Sequence, residues 1–260
     1  MVRPWGTIMG MTIHMVIIIH TVTDTAMTDV QDNSGSVAGL YELFSWMSPS
    51  YPIGAYTYSH GVEYAVEAGF VKDISTLIPW LRDILEIGGG RNDAILYAES
   101  YRAVRAGDLE KVKRVAEIGF ALRPTKELDL ETSAQGRAFL TVTNDVFPSP
   151  SLEFLKNLKD IPLVYPVVVG AATADKGVSL EAGLTAYLHG IVSNLVSAAV
   201  RIIPLGQTDG QRAIAALSGD VAVQVQRTLE FTIEDLGSSA MMVDWCSCQH
   251  ETQYTRLFRS

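Results

Sequence analysis

The chain has 260 residues, a formal net charge of −9 and a pI near 5.0; no Lys/Arg stripe stands above that acidic background, which excludes binding by phosphate neutralisation and with it nucleic acid. Its two cysteines, Cys246 and Cys248, are too close in sequence to staple distant parts of a fold, so a disulfide framework is excluded and a reducing cytoplasm fits. No apolar run reaches the roughly 18 residues of a transmembrane helix, and a chain of this length hides roughly 70 to 75% of its unfolded surface in one large domain or two small ones.

At the N-terminus, Arg3 followed by the apolar run Ile8 to Ile19 imitates a signal peptide, but His14 interrupts it, His20 ends it, and no small-x-small cleavage site follows. Residues 1–35 therefore read as an extended or misassigned start, outside the fold. From Val37 a helix is expected, with Leu40, Leu43, Phe44 and Met47 on one side and Pro49 as its stop. The next segment, SPSYPIGAYTYSHG, places Tyr51, Tyr56 and Tyr58 in a loop stiffened by two prolines and two glycines. Such a loop suits recognition, and packing the corner between two helices explains its rings equally well. His60 reads as a satisfied corner residue, because no second ligand-type side chain stands at metal spacing.

Further helices are expected over Val62–Ala68, Ile74–Ile87 entered at Asp73 and Ser75 and ended by Gly88, Gly89 and Gly90, and Ala94–Arg105 capped by Asn92 or Asp93. A short amphipathic helix follows, with Leu109, Val112, Val115 and Ile118 inside and Lys111, Lys113 and Arg114 outside. Thr125 opens another that runs to about Asp145. Leu163–Gly170 is β-branched like a strand, yet Pro166 and the following alanines favour a buried helix.

The central element is the stretch beginning at Leu180. Leu184, Leu188, Ile191, Leu195, Ala198 and Ile202 recur at steps of three and four, and Val192, Val196 and Val200 form a second apolar row, so little of its surface is left for water. Pro204 and Gly206 turn the chain, and Thr208 with Gln211 reads as a capping box opening the next helix. The fold class is all-α, a single-domain bundle of about ten helices around a central buried helix, over residues 36–249. Residues 250–260, HETQYTRLFRS, form a tail whose aromatic, aliphatic and arginine side chains are the types that binding hot spots favour. Folding back on its own domain explains Leu257 and Phe258 equally well.

Catalytic signatures are not found: G-x-S-x-G, the phosphate-binding loop and G-x-G-x-x-G all fail, and Tyr254 stands where H-E-x-x-H needs its second imidazole. Glu127, Asp129 and Glu131 alternate and so do not support paired acid and base work. Cys246, Cys248 and His250 diverge on a continuous helix, and would hold a metal only from an extended or turned backbone or with a second chain.

Four segments, LFSWMSPSYPIGAYTYSHGVEYAVEAG, RPTKELDLETSAQGRAFL, SNLVSAAVRIIPLGQTDGQR and HETQYTRLFRS, resemble in sequence and order the urease accessory protein UreF family. The resemblance implies a cytoplasmic, dimeric, non-enzymatic helical protein without a cofactor, which joins UreD (also called UreH) and the GTPase UreG, influences GTP hydrolysis and helps nickel insertion into apo-urease. By position it implies partner binding for Tyr254, Arg256, Leu257, Phe258 and Arg259 and for Pro52, Gly54, Tyr56 and Ser59. Leu195, Gly206, Gln207 and Asp209 match the family's core or dimer region. Cys246 and Cys248 depart from the family pattern, which keeps a nickel metallochaperone using both with His250 as the rival reading. A helical enzyme with a small-molecule pocket near Tyr56 and His60 is a second.

Overall fold

Short polar side chains set several of the helix starts. Asp73 accepts from the Thr76 amide while the Thr76 hydroxyl reaches back to the Asp73 amide, a reciprocal cap at the head of Ile74–Ile87. Thr125 and Ser179 accept in the same way from Leu128 and Ala182, and Pro166 sits in the first turn of its helix, where its missing N–H leaves no helical bond unmade. The structure, a computed structural model, describes residues 34–158, 161 and 163–260. All but the last two residues of the expected extension over 1–35 lie outside the described residues.

The described residues fold into twelve α-helices and two single 3₁₀ turns, at Ala55–Thr57 and Ile233–Asp235. In chain order the helices are α1 (Ser34–Trp46), α2 (Val62–Glu67), α3 (Ile74–Ile87), α4 (Gly89–Arg105), α5 (Leu109–Ala121) and α6 (Lys126–Val146). After them come α7 (Pro150–Lys156), α8 (Tyr165–Asp175), α9 (Leu180–Ile202), α10 (Gln207–Ala216), α11 (Ser218–Glu230) and α12 (Met241–His250). The all-α expectation holds, and the ambiguous Leu163–Gly170 stretch is helical from Tyr165 onward.

The core runs along α4, α8 and α9. Helix α8 is buried on every side from Pro166 to Ala174, which explains why its sequence carries no period: a helix with no wet face needs no polar stripe. It packs most extensively on α4 and then on α6. Helix α9 touches α2, α3, α4, α8, α10 and α11, so it is central as expected. It is not dry, however: Glu181, Thr185, His189, Ser197 and Arg201, all four residues or a multiple of four apart, form an exposed line opposite the buried Leu184–Leu188–Leu195 stripe. Helix α9 is also long and apolar enough to cross a membrane, but half of its most apolar window is buried inside the protein.

Four local expectations are corrected. Phe44 faces solvent with Val37 and Tyr41 instead of joining Leu43 in the core. Helix α4 starts five residues early, so Asn92 and Asp93 lie inside it; Asn92 accepts from the Gly237 amide and Asp93 pairs with Arg123. Gly206, not Thr208, precedes the first turn of α10, which begins without a side-chain cap. Lys111 is no solvated bystander, since it lies 2.9 Å from Glu99, a carboxylate that also pairs with Arg102 at 2.8 Å. That Arg102 guanidinium donates to the carbonyls of Thr228, Leu229 and Phe231, satisfying the otherwise open end of α11.

Candidate functional site: the aromatic loop and the C-terminal tail

The two segments singled out for recognition lie against each other. The Arg259 amide donates to the Thr57 carbonyl at 2.8 Å and the Ser59 amide to the Ser260 carbonyl at 2.8 Å, so the last residues run beside the loop like a short paired strand. The Ser59 hydroxyl also donates to the Ser260 carbonyl. His60 and Gly61 both carry positive φ, 54° and 79°, which reverses the chain into α2. At Gly61 a side chain is excluded, because a Cβ would stand 2.9 Å from the Ser247 amide nitrogen of α12.

Beneath the tail lies a chain of buried ionic groups. His250, fully buried, stands with Nδ1 2.6 Å from Glu127 and Nε2 2.9 Å from Glu63. The Glu63 carboxylate also accepts from the amides of Leu257 and Phe258, at 2.6 and 2.9 Å, and Glu127 accepts from the Arg256 guanidinium at 2.8 Å. Ser260 donates to Glu131 at 2.7 Å. Burial pushes the Glu127 carboxyl above its ordinary value, with His250 and Arg256 pulling the other way. Glu127 and Glu131, one turn apart, thus face the tail together, although Asp129 between them turns away to Ser133. Every carboxylate oxygen facing the tail is engaged by it or by His250, so the cluster is a clamp.

The expected docking residues divide accordingly. Tyr254 and Leu257 are exposed, at 102% and 62%, and Pro52, Tyr56, Arg256 and Arg259 are exposed as well. Phe258 and Ser59 are buried: Phe258 lies under the Arg201 guanidinium, 4.3 Å from its ring centre, and Arg201 in turn donates to the Tyr56 carbonyl. Arg256 works inward as well as outward. Gly54 makes the left-handed turn at φ 74° that precedes the 3₁₀ turn. Of the second group, Leu195 is buried in α9, whereas Gly206 and Gln207 are exposed at the α9–α10 corner and Asp209 pairs with Arg212; the structure does not bring them to the tail.

Cys246, Cys248 and His250 share α12 but not a side. Cys246 is buried, Cys248 is exposed, and both ring nitrogens of His250 face carboxylates. Burial raises the Cys246 thiol to about 11, which keeps it protonated. Among the described residues no group of three or more His, Cys, Asp or Glu side chains is placed to hold a metal ion. The residues that sequence reasoning missed are Glu63, Glu127 and Arg201. No local spacing marks them, because they act on partners far away in the chain.

The family pattern described as UreF matches residues 71–218, more than half of the chain. The chain belongs to the UreF family. Proteins called urease accessory protein UreF align along most of its length. One from Bradyrhizobium diazoefficiens is 46% identical over 223 residues, 86% of this chain and 92% of the relative. Another, from Rhodopseudomonas palustris strain BisA53, is 45% identical over 238 residues, 90% of this chain and all of the relative. A third, from Granulibacter bethesdensis, is 48% identical over 223 residues, 86% of this chain and 94% of the relative. The UreF pattern over 71–218 covers α4, α8 and α9 and excludes both the loop at 51–60 and the tail.

Proposed function

We propose that this UreF-family chain bridges UreD (UreH) and the GTPase UreG during urease maturation, modulating GTP hydrolysis and nickel insertion into apo-urease without catalysing a step itself. The observation that carries the reading is the pairing of tail with loop. It holds the end of the tail, which carries the exposed Tyr254, Arg256, Leu257 and Arg259, against the loop that carries the exposed Tyr56, and these are the side-chain types that dominate binding hot spots. A clamp of buried ionic groups holds that surface in a fixed shape, which lowers the ordering cost of association. In this reading the chain acts as a homodimer in the cytoplasm, a setting that its two unpaired cysteines fit.

Removing Arg256 tests the proposal. Arg256→Ala is expected to weaken capture of UreD and UreG by about 1 to 3 kcal/mol while the helical fold survives. Pull-down and circular dichroism of the same preparations check it, and undiminished capture of both partners would contradict it.

A further inference from the structure

Among the described residues, four buried side-chain nitrogens lack a hydrogen-bond partner: Trp46 Nε1, His60 Nε2, Trp80 Nε1 and Arg123 Nη2. Three of the four, all but Trp80, belong to residues lining a single pocket of about 170 Å³ that also reaches the exposed Tyr56 and Ser197. Buried donors are ordinarily paired, so their concentration around one space is the signature of an acceptor that belongs there. Trp46 is 1% exposed and the Arg123 side chain 8%.

The charges around the cavity are already matched. Arg123 Nη1 lies 2.9 Å from Asp93, whose other oxygen accepts from the Tyr187 hydroxyl at 3.1 Å. His60 Nδ1 lies 3.6 Å from Glu131, which Ser260 also engages. Burial pulls the His60 pKa down, but Glu131 and Asp93 outweigh it and leave it raised, and its unpaired Nε2 is the third nitrogen of the set. The two carboxylates at least match Arg123 and His60, and what remains unspent is N–H donors without net positive charge. An incoming anion would add an unbalanced charge in a desolvated site. The rest of the wall mixes apolar and aromatic side chains, Tyr51, Tyr165, Ile191 and Leu195 among them, with polar ones such as Thr132 and Asn194.

We propose that this cavity binds a small neutral molecule through a carbonyl-type oxygen, an amide or a ketone, with the Trp46, His60 and Arg123 N–H groups donating to the oxygen and the apolar part of the wall taking its alkyl groups. At about 30 Å³ per water, the space suits a ligand of roughly six heavy atoms. The inference is independent of partner docking through the tail.

The test uses the ¹⁵N-labelled full chain and the Trp46 indole N–H resonance, titrated with N,N-dimethylacetamide and separately with acetate. The expected result is a saturable shift with dimethylacetamide, at least ten-fold weaker binding of acetate, and at least ten-fold weaker dimethylacetamide binding in Arg123→Lys, which keeps a cation beside Asp93. Should that variant not fold by circular dichroism, His60→Asn replaces it, since Asn tolerates the positive φ there. No saturable shift would mean that water alone fills the cavity and would overturn the proposal. Acetate binding as tightly as the amide, or unchanged affinity in the folded variant, would overturn it too.

Discussion

Glu63 shows most clearly how a single side chain fixes the candidate surface. One carboxylate, 8% exposed, receives two consecutive backbone amides of the tail and one ring nitrogen of His250. In Glu63→Ala those donors lose their acceptor, an effect of about 1 to 3 kcal/mol confined to the tail. The amides of Leu257 and Phe258 are then expected to exchange hydrogen at least ten-fold faster, while those of α8 are unaffected; equal protection in variant and parent would rule out the clamp. Glu99 carries a pH dependence of the opposite kind to Glu127. Burial alone would raise its pKa, but Lys111 and Arg102 overcome that and hold it below the ordinary glutamate value. A lowered folded-state pKa contributes stability above the ordinary value of 4.5, lost as pH falls through that value towards the depressed one. Glu99→Gln is therefore expected to be less stable than the parent at pH 6 and to lose less on acidification to pH 3. Urea titrations at both pH values check this, and parallel acid losses would contradict it. Little of this was legible beforehand. Tyr254, Leu257 and the arginines announce a sticky tail by composition, whereas Glu63 looks like any helix-surface acid until its partner, 194 residues away, is placed.

At the scale of elements, the sequence speaks clearly wherever a local cap or a breaker sets the boundary. Asp73 and Thr125 place α3 and α6 to within a residue. It misleads where packing decides. Glycines 88–90 read as a stop, yet Gly89 and Gly90 form the first turn of α4, because the close approach of the His60 ring at Gly89 and of the α3 backbone at Gly90 rewards residues without side chains there. Helix α8 is the strongest case: Val167–Val169 suit a strand by propensity, and burial against α4 and α6 overrides it. The α4–α8 contact depends on Gly170, where a methyl group would run into the Tyr97 carbonyl oxygen. Gly170→Ala, a favourable change for an isolated helix, is accordingly expected to cost about 1 to 3 kcal/mol. Chemical denaturation measures it, and a gain in stability would show that the two helices can part at no cost.

Across the whole molecule, composition and period were enough for an all-α bundle, because a mostly helical chain with a long apolar helix has few other ways to hide its core. They were not enough for the site. Its residues come from the loop before α2, from α2 itself, from α6, from α9 and from the last eleven residues, and only the tertiary fold assembles them. The bundle supplies rigidity, and the exposed Tyr254 and Leu257 supply a surface that makes few demands on the fold. The most direct test is urease activation reconstituted from apo-urease, UreD, UreG, nickel, bicarbonate and GTP, with this chain or its Tyr254→Ala/Leu257→Ala variant. We expect activation to require the chain and to fall at least ten-fold with the variant, whose thermal midpoint stays within a few degrees of the parent's. Full activation without the chain, or an equally active variant, would contradict the account.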